Sequence, residues 1–240
     1  MTNKPCFLAE ARWLKLLRGA ILHDESLADH ADLILPLWEH LVGGPSQFKR
    51  TTDLLYSPET PSQADIEDLI DCFREARGHL LGWLTMAQHR IRLSDLDVGG
   101  QSWSDVAVIP LLDEDASSDV TAGDGLHLVL RGTYATCRLL KGRLLTALAP
   151  ARFRHLEAES QELAGRIMAL GSCGYRQNGE CASLVGSLFM SQGSWIAQSV
   201  IATKDAWANA IPAQGGMIGR TKFEAWCRAM GRIQPHDEGA

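Results

Sequence analysis

One stretch of the chain, residues 126–170, constrains the fold most, because its apolar residues recur at helical spacing in two consecutive runs. The apolar residues of the first run are Leu126, Leu130, Cys137, Leu140, Leu144 and Leu148, and those of the second are Phe153, Leu156, Leu163, Ile167 and Leu170. Steps of three, four and seven residues place each set on one face of a helix. The stretch therefore predicts two long helices at the centre of an all-α core.

Local signals set the ends of these two helices. Pro150 predicts the end of the first helix, because it has no amide hydrogen and disfavours the helical conformation at Ala149. Gly171 predicts the end of the second helix in a left-handed cap. The polar residues of the second helix lie on its other face and are Glu157, Glu159, Gln161 and Glu162.

The N-terminal part of the chain predicts a helical segment followed by a loop. Residues 7–41 carry the helical pattern. Its apolar residues are Trp13, Leu16, Leu17, Ala20 and Ile21 on one face, and Leu33, Leu37, Trp38 and Leu41 in a second run. The glycines and proline at 43–45 predict the end of this segment, and residues 46–61 predict a surface loop.

Three further helices are expected along the chain. Ser62 is a helix cap in front of an acidic first turn, and the apolar pattern after it continues toward His89. Residues 184–207 predict a helix whose many small residues, such as Gly193, indicate tight packing. The pattern breaks at 211–219, and Thr221 is expected to cap a final helix.

The central segment at 93–125 has no helical pattern and predicts a long irregular loop with one apolar island at 106–112. A loop of this length is often functional or disordered. A chain of 240 residues can bury one large core, so we expect a single compact multi-helix domain over 1–240. The alternative division is into lobes 1–92 and 126–233, which this loop would join.

Charge and hydropathy exclude several classes of protein. A net charge of −6 and a pI near 5.7 argue against direct nucleic-acid binding, which needs a basic surface. No stretch reaches the roughly 18 to 20 apolar residues of a membrane-spanning helix, and the N-terminal segment lacks the apolar run of a signal peptide. We therefore expect an intracellular protein of the nucleus or cytoplasm that does not bind membranes.

The six cysteines of the chain are scattered. In an intracellular protein they predict reduced thiols, most of them small core residues. Cys173 and Cys181 flank a glycine-containing loop, so a disulfide between them stays open as an alternative.

No cofactor or metal signature occurs in the sequence. The spacing of His23, His30 and His40 does not match a helical metal site, and no aspartate-rich pair is present to hold magnesium. The glycines at 99–104 and 123–125 predict turns rather than a phosphate-binding loop. The strained serine elbow of many hydrolases is also missing, so we expect neither cofactor nor metal.

A cationic and aromatic row on the first long helix is the main candidate for a binding site. Its members are Arg131, Tyr134, Arg138 and Lys141. The row predicts either a solvated basic helix surface or the wall of a ligand cavity, where a guanidinium binds an anionic or enolate oxygen. Trp83 and Trp195 are core fillers or line an apolar pocket. The candidate ligand-binding residues are Trp83, Tyr134, Arg138 and Trp195.

Several segments resemble a known family. The long helix TYATCRLLKGRLL, the acidic helix LEAESQELAGRIMAL and the terminal FEAWCRAM look like the C-terminal half of fungal zinc-binuclear-cluster transcription regulators. The segments FLAEARWLKLL and LIDCFREARGHLLGWL are similar to the preceding region of that group. Those regulators bind DNA through six closely spaced cysteines that hold two zinc ions at the N-terminus, whereas only Cys6 lies in that region here. The resemblance thus implies the regulatory body without the DNA-binding zinc cluster.

Two functions remain open at this point. In the first, the chain is a regulator-like helical protein of fungal secondary metabolism that binds a small apolar metabolite or a regulatory protein, with a homodimer also allowed. In the second, the chain is a cofactor-independent enzyme of secondary-metabolite biosynthesis that promotes cyclisation or cycloaddition in an apolar pocket. Such chemistry needs mainly a shaped cavity and one or two hydrogen-bond donors, so it leaves no sequence motif.

Overall fold

The computed structural model describes residues 10–95, 122–177, 184–209 and 216–231, and these residues are almost entirely helical. No strand occurs within these four ranges, so the prediction of an all-α fold is confirmed. The helices, in chain order, are α1 (Ala11–His23), α2 (Glu25–Ala28), α3 (Ala31–Tyr56), α4 (Gln63–Asp95), α5 (Ala122–Leu148), α6 (His155–Gln177), α7 (Leu184–Ala202), α8 (Lys204–Ala208) and α9 (Arg220–Ala229).

Helix α5 lies at the centre of the fold and packs against α3, α4, α6 and α7. Every residue from 141 to 148 is buried, so this part of the helix is surrounded by protein. A large apolar cluster contains Leu139 and Leu144, and a smaller one contains Leu80 and Leu130. The prediction that α5 and α6 form the centre of the core is confirmed.

The connection from α5 to α6 contains Pro150, as the sequence predicts. The predicted end of α6 at Gly171 is wrong, because this helix continues to Gln177. A glycine inside a helix costs only about 1 kcal/mol relative to alanine. This cost is small enough for a helix to continue through a glycine.

Helix α3 runs without a break from Ala31 to Tyr56, so the predicted end at 43–45 and most of the loop predicted after it are wrong. Pro45 removes one backbone hydrogen bond, at a cost of ~3 kcal/mol. Beyond it, Phe48, Leu54, Leu55 and Tyr56 pack against the large apolar cluster, and each such side chain contributes up to about 3 kcal/mol when fully buried. Gly44 faces α5, where an added Cβ would meet a side chain at 3.4 Å. Packing against the rest of the protein thus outweighs the local helix breakers.

The start of α4 follows the sequence closely. The Ser62 hydroxyl accepts a hydrogen bond from the Asp65 amide at 3.1 Å and donates one to the Asp65 carboxylate at 2.6 Å. This pair satisfies an otherwise open end of the helix, so the predicted cap is confirmed. The helix extends beyond His89 and ends at Asp95.

The region between α4 and α5 is shorter than the loop predicted at 93–125, because α4 reaches Asp95 and α5 begins at Ala122. The glycines at 123–125 lie inside α5, so the prediction of a turn there is wrong. Residues 96–121, with the apolar island at 106–112, lie outside the described residues.

Helix α7 lies close to α5 and α6. Gly193 supports the tight packing predicted for this helix, because an added Cβ would lie 2.7 Å from the Thr136 hydroxyl oxygen of α5. An interruption at Thr203 separates α7 from α8, so the single helix predicted over 184–207 is divided in two.

The C-terminal helix α9 closes the large apolar cluster. Its Phe223 and Trp226 are fully buried, and their rings lie 5.7 Å apart in an edge-to-face arrangement. Gly219 is the N-cap residue, so the prediction that Thr221 caps this helix is wrong. The Ile218 amide just before the helix donates to the Ala147 carbonyl at 2.7 Å, which fixes α9 against the end of α5.

Helix α1 is only partly covered by the rest of the protein. It contacts α2 and α3, and Ile21 is its only buried residue. Trp13 and Leu16 belong to the predicted apolar face, yet they are 37% and 62% exposed. The apolar face of α1 is therefore wider than the surface that α3 covers.

Candidate functional site

Three of the four predicted ligand-binding residues lie together between α4 and α5. The Trp83 and Tyr134 rings stack with their centroids 5.5 Å apart, and both side chains are buried. Arg138, one turn after Tyr134, donates a hydrogen bond to the Tyr134 hydroxyl oxygen at 2.7 Å. The indole of Trp83 donates to the Leu33 carbonyl at 2.8 Å, so its polar atom is also satisfied within the protein.

The carboxylate of Glu159, which the sequence pattern predicts on the polar face of α6, holds this group together. Glu159 accepts two hydrogen bonds from Arg77, at 2.9 and 3.0 Å, and a third from Arg138 at 2.5 Å. Arg77 also donates to the Arg138 carbonyl at 3.2 Å. Burial alone would lower the pKa of Arg138, but Tyr134 and Glu159 raise it above its usual range. The three side chains form a charged link between α4, α5 and α6.

Lys141 lies deeper, and its side chain is enclosed by protein. The residue is only 1% exposed, so the interpretation of this helix face as a solvated basic surface is wrong here. Cys137 lies one turn before it on the same face, and His40 and Cys72 approach it from α3 and α4. Burial lowers the pKa of Lys141, and the nearby Arg77 guanidinium lowers it further.

The neighbours of Lys141 also have shifted pKa values. Burial lowers the pKa of His40 to about 4, with contributions from Lys141 and from His79, whose ring lies 6.2 Å away. Burial raises the pKa of the Cys137 thiol, although Lys141 opposes this shift. His40 and Cys137 are therefore neutral at pH 7. Arg131, the remaining member of the predicted row, is half-buried on the same helix.

A second buried arginine, which the sequence reasoning did not select, lies on the opposite side of α5. Arg143 is fully buried, with its guanidinium 4.0 Å from the Trp207 ring centroid. It donates hydrogen bonds to the Val200 carbonyl at 3.1 Å and to the Thr203 hydroxyl at 3.3 Å. Burial lowers its pKa to about 10.

The partner of Arg143 corrects the prediction for the polar face of α6. Glu157 is buried rather than exposed, and its carboxylate oxygen lies 3.4 Å from the Arg143 guanidinium. Burial raises the pKa of Glu157, and Arg143 opposes this shift. Two guanidinium nitrogens of Arg143, one Glu157 oxygen and the Trp207 indole nitrogen have no hydrogen-bond partner among the described residues. Arg143 and Glu157 thus form a buried polar cluster in which hydrogen bonds satisfy only part of the polar atoms.

Trp195, the fourth predicted ligand-binding residue, lies apart from the other three. It is on α7 and is 62% exposed. The structure therefore brings together Trp83, Tyr134 and Arg138 but places Trp195 at the surface. The role of all four in ligand binding stays a prediction.

A surface groove runs between α1 and α3. Its volume is about 290 Å³. The apolar residues that line it are Leu14 and Leu17 from α1, and Leu35 and Trp38 from α3. The exposed side chains of Lys15, Arg18 and Glu39 line it as well. This groove combines apolar surface with two positive charges from α1 and one negative charge from α3.

No group of three metal-binding side chains occurs among the described residues. Within the same residues, no helix is long and apolar enough to span a bilayer. No family model matches the chain, and neither a curated protein nor a solved structure matches it.

Proposed function

We propose that the chain is a transcription-regulator-like helical protein of fungal secondary metabolism that lacks its own DNA-binding zinc cluster. It acts in the nucleus or cytoplasm by binding a regulatory protein. The resemblance of residues 133–145 and 223–230 to zinc-cluster regulators supports the regulator part of this proposal. The uncovered apolar side of α1 supports the binding part.

The exposure of α1 is the observation that carries the proposal. Trp13 and Leu16 are 37% and 62% exposed, and they lie three residues apart on one face of α1. Exposed apolar side chains that lie close together on one element are typical of protein interaction surfaces. Trp13 is also of a residue type that contributes strongly to such interfaces.

The contacts around the predicted ligand-binding residues favour a protein partner at the surface over a metabolite in the interior. The candidate wall of a ligand cavity, Tyr134 and Arg138, is occupied by contacts with Trp83, Arg77 and Glu159. A ligand at this place would have to replace those contacts. A partner at the surface of α1 would displace only solvent.

Deletion of the gene in its native host tests the proposal against the enzyme alternative. Transcripts and metabolites are measured in the same cultures, with the reintroduced gene as the control. We expect the transcripts of neighbouring biosynthetic genes to fall together with their product. Steady transcripts with an accumulating unprocessed intermediate would overturn the proposal in favour of a cofactor-independent enzyme.

A further inference from the structure

We propose that the groove between α1 and α3 binds an acidic amphipathic peptide segment of the regulatory partner, an inference that rests on the proposed function.

The charges of α1 indicate an acidic ligand. Its sequence ARWLKLLRGAILH contains two arginines and a lysine but no acidic residue, within a chain of net charge −6. Arg12 pairs with Glu10 at 2.8 Å. Lys15 and Arg18 are exposed beside the groove and form no ion pair within the described residues. A partner with carboxylates at this edge would supply the missing counter-charges.

The spacing and length of the groove fit a short helix. Lys15 and Arg18 are three residues apart, so they lie on neighbouring turns of the same face. A helical peptide with two acidic residues one turn apart can pair with both. The part of α1 that lines the groove runs from Ala11 to Arg18 and extends over roughly 11 Å, which matches about two turns of a bound helix.

The apolar surface of the groove fits the other face of such a peptide. Leu14, Leu17 and Leu35 are half-buried, so they are available for further burial. Helices that bind in grooves use apolar anchors at steps of three, four and seven residues. Glu39 on the α3 side disfavours acidic residues at that edge and so sets the orientation of the peptide.

The geometry favours a peptide over an anionic membrane surface. A bilayer needs the apolar residues of a helix on one outward face. Leu16 and Leu22 are six residues apart, so they project from different sides of α1, and both are exposed. The groove is concave and has Glu39 at one edge, and the chain as a whole is acidic. These features oppose insertion into an anionic headgroup layer.

Fluorescence anisotropy with the full chain tests this inference. The probe is a labelled synthetic helix of about 14 residues, with leucine anchors at helical spacing and Asp or Glu on the remaining face. The control peptide replaces each acidic residue with its amide. We expect saturable binding of the acidic peptide below about 100 μM and at least tenfold weaker binding of the control.

Charge reversal locates the site. The double variant Lys15→Glu/Arg18→Glu should lose at least tenfold in affinity for the acidic peptide and gain affinity for a peptide with lysines in place of the acids. The matched control is Arg154→Glu/Arg228→Glu, which changes the same charge at exposed positions away from the groove. It should bind the acidic peptide like the wild type. If Lys15→Glu/Arg18→Glu gains affinity for the lysine-containing peptide, the variant is folded. Its loss of affinity for the acidic peptide is then due to the reversed charges.

Three results would overturn the inference. One is the absence of acidic-peptide binding, and another is equal loss in both double variants. The third is cosedimentation of the chain with vesicles of equal parts phosphatidylcholine and phosphatidylserine that is abolished in Lys15→Glu/Arg18→Glu but not in the control variant. In that case α1 would bind a membrane.

The deletion strain separates this inference from the proposed function. If the deletion lowers transcripts and the reintroduced Lys15→Glu/Arg18→Glu gene fails to restore them, both are supported. If that variant restores transcripts fully, the groove inference fails while the proposed function stands.

Discussion

Lys141 places an amine in the core without a carboxylate among the groups that shift its pKa. A buried ammonium loses its hydration, so it destabilises the folded state unless a partner compensates. We expect Lys141→Met to raise the free energy of unfolding by about 1 to 3 kcal/mol at pH 7, as measured by urea denaturation. The exposed control Lys15→Met should stay within roughly 0.5 kcal/mol of the wild type.

The pH dependence of the Lys141 effect has a defined sign. Because the pKa of Lys141 is lowered in the folded protein, the unfolded chain binds more protons between the folded-state and unfolded-state pKa values. The free energy of unfolding of the wild type therefore rises with pH in that window. The difference between the free energies of unfolding of the wild type and Lys141→Met becomes smaller there. A clear loss of stability in Lys141→Met would instead show that the ammonium makes a stabilising contact.

His40 predicts a loss of stability in mild acid. Its pKa is lowered to about 4 in the fold, from a usual value of 6.5, so only the unfolded chain takes up this proton between those values. Stability from this residue is therefore complete above pH 6.5 and falls as the pH drops toward 4. For a half-buried side chain we expect a loss of roughly 1 to 2 kcal/mol.

Denaturation of His40→Gln at several pH values checks this effect. Its stability should fall less steeply than that of the wild type below pH 6.5. The exposed His23→Gln should follow the wild-type curve. Parallel curves for all three proteins would contradict the assignment, because another group would then cause the acid sensitivity.

At the scale of the helices, the contact between α5 and α7 depends on the missing side chain of Gly193. An added Cβ would meet the Thr136 hydroxyl oxygen at 2.7 Å, and Thr136 is itself buried with its hydroxyl bonded to the Gly132 carbonyl. We expect Gly193→Ala to lower the free energy of unfolding by about 1 to 3 kcal/mol. Thermal or urea denaturation measures this difference.

Two further variants separate the steric effect from helix propensity. Gly165→Ala in α6 meets no atom within 4 Å, so it should stabilise the protein by up to about 1 kcal/mol. Adding Thr136→Ala to Gly193→Ala removes the nearest atom and should recover part of the loss. Simple additivity of the two changes would rule out a direct clash.

The sequence predicts the helices better than their ends. The apolar period of α5 and α6 is long and regular, so both helices and the turn at Pro150 follow from it. The continuation of α3 through 43–45 does not, because it depends on contacts with distant residues such as those of α9. The continuation of α6 beyond Gly171 is likewise not predicted by the sequence. Local breakers cost only a few kcal/mol, which burial outweighs.

The predicted binding site shows the same limit. Tyr134, Arg138 and Lys141 lie on one face of α5, as their spacing indicates. Glu159, the partner of Arg138, lies on a different helix, and nothing in the local sequence distinguishes it from Glu157, which pairs with Arg143 instead. Pairing of charges between helices is thus a property of the packed molecule rather than of any one segment.

Across the whole molecule, burial is concentrated on α5 and decreases toward α1. Every residue at 141–148 is buried, whereas α1 buries only Ile21. Amide hydrogen exchange should reflect this difference. We expect amides at 141–148 to exchange only through global unfolding and those of α1 at least 100-fold faster, as mass spectrometry of peptic fragments can measure. Equal protection of the two helices would contradict a weakly held α1.

The partial burial of α1 also has a consequence for recognition. We expect a helix held mainly by Ile21 and a few half-buried leucines to separate from α3 for part of the time, and the groove exists only while α1 is docked. The apparent dissociation constant of any ligand of the groove is then the intrinsic constant divided by the fraction of molecules in which α1 is docked. A cross-link between α1 and α3 would tighten binding without adding a contact, because it raises that fraction alone.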